Sequence, residues 1–249
     1  MKDFIKELNK EENREEKYHY VQNTFESISP VYDKMNDIMS FGMHRVWRKY
    51  AVKKIALSPG ETVLDACCGT GDFAQESARA VGVGGRVFAT DFCSGMVQEG
   101  AGKADRDYLF SRVIRFGVAD TTKIPFKNGI FDAVTVSCGI RNLNDIDLGF
   151  REIFRVLKPG GRFACLDLGR PNIPVFSTIY NTYFEKVVPL VGKLIHGDAE
   201  PYDYLPQSLK EFPDREELSQ RIKEAGFVKV NYTDLAGGAM VLHVAIKGV

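Results

Sequence analysis

Four carboxylates set around one glycine turn are the residues of this chain whose types and spacing point most directly to chemistry. Asp65 lies in a short apolar, β-branched run, Thr62–Ala66, of the kind that forms a buried strand. Gly69-Thr70-Gly71 follows, and Asp72 opens a stretch, 73–80, with helical patterning. Asp91 ends a second strand-like run, Arg86–Asp91, and Asp120 follows a third, Ile114–Val118. Strand, glycine turn and helix together offer backbone N–H groups at a helix N-terminus to a ligand. Gly69-Thr-Gly71-Asp-Phe-Ala74 formally satisfies the dinucleotide pattern G-x-G-x-x-G/A, and Asp91 stands about 20 residues on, where a ribose would be held. The flanking charges favour a different ligand. Asp65 and Asp72 bracket the turn where a pyrophosphate would sit, and like charges brought that close in a partly desolvated turn cost several kcal/mol.

A ligand with a cationic end meets no such repulsion, and S-adenosylmethionine has one. Asp65 suits its methionyl ammonium, and the Gly69–Gly71 backbone permits close approach. Asp91 suits a ribose diol. Asp120 is placed to accept from the adenine amino group, with the Thr121 N–H as a neighbouring donor. All of these fall after carboxyl ends of strands near the first βαβ unit, where open α/β sheets bind ligands.

Holding those groups together requires a parallel sheet, and the rest of the pattern supplies one. Strands are expected at Thr62–Ala66, Arg86–Asp91, Ile114–Val118, Phe131–Ser137 and 162–168. Helices are expected between them, one N-capped by Ser94 and reaching about Lys103, another at 147–157, and Lys158-Pro-Gly-Gly161 reads as a turn. Such alternation means right-handed crossovers. A helix at 214–225, closed by Gly226, leads to strands at 229–235 and Met240–Lys247. Only Ala236-Gly-Gly-Ala239 joins these two, so they must form an antiparallel hairpin. The expected fold is α/β: a seven-stranded, mostly parallel, Rossmann-like sheet over 56–249, with a helical insertion at about 170–212.

Ahead of it, 1–55 reads as a helical cap. Lys2, Lys6, Lys10 and Arg14 form one stripe and Asp3, Glu7, Glu11 and Glu15 the next, a solvated surface arm with a small apolar patch at Phe4, Ile5 and Leu8. Pro30 limits one helix, and Ser40-Phe-Gly42 is a turn before a basic helix, 44–54. Inside the insertion Phe176, Ile179, Tyr180, Tyr183, Phe184, Val187, Val191 and Leu194 recur at helical spacing, either core-facing or facing a substrate or membrane.

Composition bounds the partners. Lys+Arg and Asp+Glu both total 33 in 249 residues, so nothing points to nucleic acid. Five cysteines, none in a C-x-x-C pair, fit a reducing compartment. The charged N-terminus does not resemble a secretory signal, and no apolar run approaches the roughly 20 residues of a spanning helix. A cytoplasmic protein is expected. His196 and His243 lack companions at metal-ligand spacing, so no metal site is expected.

The glycine turn, the acid ending the second strand, Arg155-Val-Leu-Lys-Pro-Gly-Gly161 and the terminal hairpin resemble a class I methyltransferase. More specific is Tyr32-Asp-Lys-Met-Asn-Asp-Ile-Met-Ser40-Phe-Gly-Met-His-Arg-Val-Trp47. With it go Pro125-Phe-Lys-Asn-Gly-Ile-Phe-Asp132, Ser137-Cys-Gly-Ile-Arg-Asn142 and the stretch from Tyr204-Leu-Pro-Gln-Ser to Phe212-Pro. Together these resemble the quinone C-methyltransferases of menaquinone and ubiquinone biosynthesis. By position, the resemblance places cofactor contacts on Thr70, Asp91, Asp120, Thr121 and Ser137. The chain departs from many relatives at Cys67-Cys68, where small residues such as glycine are usual; two small apolar side chains are the simpler reading there.

The reaction the resemblance implies is transfer of a sulfonium methyl to a ring carbon of a demethylated prenyl quinol. Arg141 and Asn142, just past the fourth strand, are the candidates for contacting the quinol oxygens, with His44, Tyr32 and Asp33 behind them. Arg141 would lower a hydroxyl pKa or hold a water that takes the proton; the competing reading is an arginine bracing the strand end. A prenylated substrate also implies transient contact with a membrane surface, for which the 176–195 stripe is the candidate. A homodimer is left open. Two other functions fit the cofactor half alone: methyl transfer to another small acceptor, or nicotinamide-dependent oxidoreduction on the same glycine turn.

Overall fold

Five apolar runs bounded by turn residues pair side by side at the centre of the molecule. The computed structural model describes residues 7–8, 10–197 and 200–249; Lys2, Asp3, Phe4, Ile5 and Lys6 of the expected arm lie outside them. β1 (Thr62–Ala66), β2 (Arg86–Asp91), β3 (Ile114–Val118), β4 (Phe131–Ser137) and β5 (Leu157–Leu168) run parallel. β7 (Met240–Lys247) lies antiparallel to both β5 and β6 (Phe227–Leu235), as the short Ala236–Gly238 connection requires. The seven-stranded order is β3-β2-β1-β4-β5-β7-β6. Winding reverses between β1 and β4, and an open α/β sheet binds its ligand outside the carboxyl ends of the strands at such a switch point.

Along the chain the helices are α1 (Arg14–Ile28), α2 (Tyr32–Ser40), α3 (Met43–Lys54), α4 (Asp72–Val81), α5 (Ser94–Ala104), α6 (Tyr108–Val113) and α7 (Ile146–Val156). After β5 come α8 (Pro174–Thr182), a π-helical turn (Tyr183–Val187), α9 (Val188–His196), α10 (Glu200–Glu211) and α11 (Arg215–Glu224). Strand alternation sends Val63 and Val87 into one layer with Ile55, Phe73 and Phe110. Leu64 and Val134 enter the other, with Phe131, Phe150, Ile153 and Ile222. A third apolar cluster lies off the sheet's carboxyl edge. There Ile28 and Met35 of α1 and α2 meet Met96 of α5 and Tyr180, Phe184, Val188 and Tyr202 of the insertion.

Three local expectations are corrected. The Lys158-Pro-Gly-Gly161 turn is absorbed into β5: Phe131 pairs with Leu157, the register shifts, and Ala133 pairs with Arg162, so the four residues bulge from a continuous strand. Ser94 is the first residue of α5 and caps nothing, because Cys93 occupies the N-cap position. The carboxylate of Glu26, from α1, takes over that role, accepting from the Ser94 and Gly95 N–H groups at 2.8 and 3.0 Å and from the Ser94 hydroxyl at 2.9 Å. Leu8 is buried against Val21 and Tyr204, so the arm is anchored at that point by α10, a contact no local pattern announces.

Glu26 thus ties the N-terminal helices to the sheet domain. Partial burial pushes its carboxyl up, but the Ser94 and Gly95 hydrogen bonds outweigh it and hold the group below the usual carboxylate range. Glu26→Ala should cost about 1 kcal/mol in urea unfolding at neutral pH, as loss of a helix cap does. A depressed carboxyl contributes only while ionised, so the difference from wild type should vanish as pH falls through the lowered pKa.

Candidate active site

The glycine turn after β1 is held in place by the acid at the tip of β2. Gly69 and Gly71 both take left-handed backbone angles, φ +53° and +82°. At Gly71 even a Cβ is excluded, since it would stand 2.7 Å from the Phe116 ring. Asp91 Oδ2 accepts from the Gly69 N–H at 2.9 Å and Oδ1 from the Cys93 N–H at 3.0 Å. Burial nonetheless pushes its carboxyl up to about 6. One donor on each oxygen leaves lone pairs for further donors.

Asp65 is completely buried. Its Oδ1 accepts from the Thr135 hydroxyl at 2.8 Å, while Oδ2 has no hydrogen-bond donor among the described residues. Burial pushes this carboxyl up to about 7. A buried carboxylate oxygen without a donor forfeits its full solvation, so it is a place where a cationic donor gains most. Asp120 Oδ1 accepts from the Thr122 N–H and hydroxyl, both at 2.8 Å, and so caps the turn Thr121–Lys123. Thr121 is buried, its hydroxyl 3.2 Å from the Cys67 sulfur. Gly69, Asp91, Asp120, Thr121 and Ser137 line one crevice, and Tyr18, Phe25 and Tyr32 belong to the same lining. Thr70 lines the small cleft beside it with Asp65. Tyr32, on α2, opens one of the family motifs, but Tyr18 and Phe25, on α1, belong to none, which is why sequence reasoning missed them.

Asp72 requires a correction. Rather than leaving a second bare carboxylate at the turn, it faces Lys103 at 2.8 Å, Arg48 at 3.6 Å and His44 Nδ1 at 3.4 Å. Lys103 also reaches Asp33 at 2.6 Å, and Asp33 accepts from the Thr70 hydroxyl. The network locks α2 and α3 onto the glycine turn and α5. Asp65 alone is then left to favour a cationic ligand.

A second cavity, of about 530 Å³, opens beyond the crevice. Its walls are apolar and come from α2, α3 and the insertion: Met35, Met39, Trp47, Phe176, Tyr180 and Phe184 among them. Crevice and cavity share Phe25, Tyr32, Ser137 and Cys138. At this junction the Ser137 hydroxyl is buried without a partner among the described residues, and burial pushes the Tyr32 phenol up to about 12.

The proposed acceptor-side residues separate. Arg141 lines the apolar cavity, and its Nη1 donates to buried Asp167 at 2.6 Å while Nε has no acceptor among the described residues. The arginine is thus braced by Asp167 and keeps one unpartnered nitrogen among the described residues. Asn142 lies in the crevice wall instead, where its Oδ1 accepts from the Tyr204 hydroxyl at 3.1 Å and its Nδ2 faces the Cys138 carbonyl at 3.4 Å. His44 touches the cavity, but Nε2 bonds Asp37 at 2.8 Å and Nδ1 accepts from Arg48. Burial lowers its pKa, and the bonds to Asp37 and Arg48 occupy both ring nitrogens. Cys67 and Cys68 are free thiols whose pKa values burial raises, consistent with inert packing residues.

A crevice at the switch point of a 3-2-1-4-5-7-6 sheet, with an acid at the tip of β2 and an undonated acid in β1, defines a Rossmann-like methyltransferase. Solved structures agree at the level of fold. A SAM-dependent methyltransferase from Aquifex aeolicus superposes with TM-score 0.59 at 18% identity, covering 80% of this chain and 88% of that one. A possible histamine N-methyltransferase from Thermotoga maritima gives 0.63 at 19% identity, covering 90% and 99%. Sequence then narrows the class. The ubiE/COQ5 methyltransferase family matches residues 10–247. The chain is 40% identical over 233 residues to "Ubiquinone/menaquinone biosynthesis C-methyltransferase UbiE" of Francisella tularensis subsp. tularensis (strain WY96-3418), covering 94% of this chain and 93% of the relative. It is also 40% identical over 236 residues to "Demethylmenaquinone methyltransferase" of Listeria monocytogenes serotype 4a (strain HCC23), covering 95% and 98%. The chain belongs to the ubiE/COQ5 methyltransferase family and is a methyltransferase; the nicotinamide reading falls away.

The Arg141–Asp167 pair makes a stability prediction of its own. Asp167→Ala leaves a buried guanidinium uncompensated and should cost about 3–5 kcal/mol in chemical denaturation. The double variant Arg141→Met with Asp167→Leu should recover most of that loss, since no buried charge is then left unpaired.

Proposed function

We propose that this enzyme transfers the methyl group of S-adenosylmethionine to a ring carbon of a demethylated prenyl quinol. The observation that carries the reading is the junction itself. A crevice carrying Asp91 and Asp120, with the undonated buried carboxylate of Asp65 in the small cleft beside it, opens past Tyr32, Ser137 and Cys138 into an apolar cavity of about 530 Å³. Within the family, the apolar walls favour a quinol with a prenyl tail over a polar small acceptor, and the names borne by the two relatives point the same way.

The residues present fit the cofactor. Asp65 Oδ2 lacks a donor and an ammonium supplies one; Asp91 has lone pairs left for a ribose diol. Asp120, Thr121 and Ser137 complete the crevice, with Thr70 beside it, and Tyr18 and Phe25 shield it from water. When bound, S-adenosylmethionine supplies a methyl group on a sulfonium that is already a good leaving group. What remains for the chain is to position the acceptor, exclude water and manage one proton. Arg141 assists the last of these by lowering the pKa of the acceptor hydroxyl, whose proton passes to water; the ring carbon's own hydrogen leaves as a proton when the ring regains its aromaticity and the hydroxyl is restored. The Arg141 guanidinium, braced by Asp167, lines the cavity, and its charge stabilises the ionised form of the acceptor hydroxyl and makes the adjacent ring carbon nucleophilic. An anionic ring and a cationic donor neutralise each other as the bond forms, and the apolar walls favour that loss of charge. His44 is a positioning residue in this reading, because both of its nitrogens are engaged. A prenylated acceptor is held in lipid, so the reading includes transient contact with a membrane surface.

Two measurements test it. Burial pushes Asp65 up to about 7, so the free protein takes up a proton there as pH falls, whereas an ammonium requires the carboxylate. A raised folded-state pKa makes the free protein lose stability as pH rises from the ordinary carboxylate range toward about 7, and ligand opposes that loss. Calorimetric affinity for S-adenosylhomocysteine should therefore weaken as pH drops through about 7, and Asp65→Asn should bind weakly without that dependence. For the acceptor, methyl transfer should be assayed on reduced short-chain demethylmenaquinone and on its benzoquinol counterpart. A ring-methylated product from either is expected; cofactor binding with product from neither would leave another small acceptor.

A further inference from the structure

The rod made by α8, the π-helical turn and α9 carries apolar side chains on its buried side and on part of its outward side, with Thr178, Asn181, Thr182, Glu185, Lys186 and Lys193 exposed beside them. One row at i,i+4 spacing, Tyr180, Phe184, Val188 and Gly192, is buried under the cavity wall. The apolar part of the outward surface is made by Val175, Ile179, Leu190 and Leu194, which are 75%, 61%, 60% and 77% exposed. A helix that is apolar on both faces belongs inside a core or against lipid. This outward surface continues onto the turn between α2 and α3 and the first turn of α3, where Phe41 is 83% and Val46 56% exposed. The Phe41 and Tyr183 rings meet with centroids 6.3 Å apart, and the Tyr183 hydroxyl donates to the Met39 carbonyl at 3.1 Å, so the two patches form one ridge. Phe41 also holds a left-handed backbone, φ +52°, which is strained for a bulky side chain and invites a functional reading.

The ridge is continuous with the mouth of the apolar cavity, because Phe41, Met43, Ile179 and Tyr183 line both. A cavity of about 530 Å³ suits an aromatic head group with the beginning of a prenyl tail, and a longer tail must leave across this rim. Charge points to the same surroundings. Between 174 and 197 the one acid is Glu185, which pairs with Lys210, while Lys186 and Lys193 are exposed on the rod. Basic side chains interleaved with apolar ones suit the headgroup boundary of an anionic bilayer.

We propose that this ridge is a bilayer-docking surface, lying in the headgroup–acyl boundary of an anionic membrane so that the acceptor's tail passes from the cavity mouth directly into lipid. The inference rests on the prenyl-quinol reading above and revises the stripe expected from sequence. Phe184 points inward and Phe176 lines the cavity, and the lipid-facing residues are Val175, Ile179, Leu190 and Leu194.

The test uses the full chain with Val175→Asp, Leu190→Asp and Leu194→Asp combined, none of which lines the cavity. Val83→Asp serves as control, being 74% exposed in the connection between α4 and β2 at the far end of the strands. Co-sedimentation with phosphatidylcholine–phosphatidylglycerol vesicles should fall about tenfold for the triple variant and stay at the wild-type level for Val83→Asp. Methyl transfer to a short-chain acceptor in solution should be unchanged, while transfer to a long-chain acceptor held in vesicles should fall by a similar factor. Unchanged sedimentation of the triple variant, or an equal loss with Val83→Asp, overturns the proposal. So does a wild-type dimer that the triple variant abolishes, because the ridge then meets a second copy. If no quinol is methylated by any of the proteins while sedimentation behaves as expected, the acceptor assignment fails and the docking surface stands.

Discussion

Asp91 fixes the geometry on which the rest of the site depends. By accepting from the Gly69 and Cys93 N–H groups it fastens the glycine turn after β1 to the tip of β2, beside the point between β1 and β4 where the sheet reverses its winding. Both oxygens are thereby oriented and neither is saturated. Asp65, on the neighbouring strand, has the complementary role. It is a buried carboxylate with one oxygen satisfied by Thr135 and the other left without a donor. A protein holds a group in that state at a cost in stability, and the cost is recovered when a cation arrives. The proposed cofactor crevice is thus organised by one acid whose bonds fix the turn and one whose missing bond selects the ligand.

The acceptor side is built differently. Strand ends supply only part of its lining, through Ser137, Leu166, Leu168 and Met240. α2, α3 and the insertion between β5 and α11 meet over the carboxyl edge of the sheet and leave the large apolar cavity between them. Their attachment is polar: the Asp33–Lys103–Asp72–Arg48 network on one side and Glu26 on the N-terminus of α5 on the other. Fastened beside the crevice by these part-buried ion pairs and by the apolar cluster around Met35 and Met96, the chamber can hold water away from the junction.

Much of the sheet and its turn was legible because the signals are local. Strand alternation, the glycine pair, the acids at 91 and 120 and the short final hairpin each declare themselves within a few residues, and family motifs added Ser137 and Arg141. What was hidden depends on partners far away in the chain. Asp72 read as a free acid because Lys103 and Arg48 lie 31 and 24 residues away from it in sequence. Leu8 read as a surface residue because Tyr204 buries it. His44 could be read as a substrate contact, a base or a hydrogen-bonded packing residue, and only the fold brings Asp37 and Arg48 onto its two ring nitrogens. The aromatic stripe of the insertion had a visible period, but only the fold divides it into an inward row at 180, 184, 188 and 192 and an outward one.

Everything proposed for this enzyme turns on methyl donor and acceptor meeting at Tyr32, Ser137 and Cys138. An experimental structure with S-adenosylhomocysteine bound tests this most directly. The amino group is expected on Asp65 Oδ2, the ribose on Asp91 and the thioether sulfur at that junction, facing the apolar cavity. An amino group away from Asp65, or a sulfur turned from the cavity toward solvent, would contradict it.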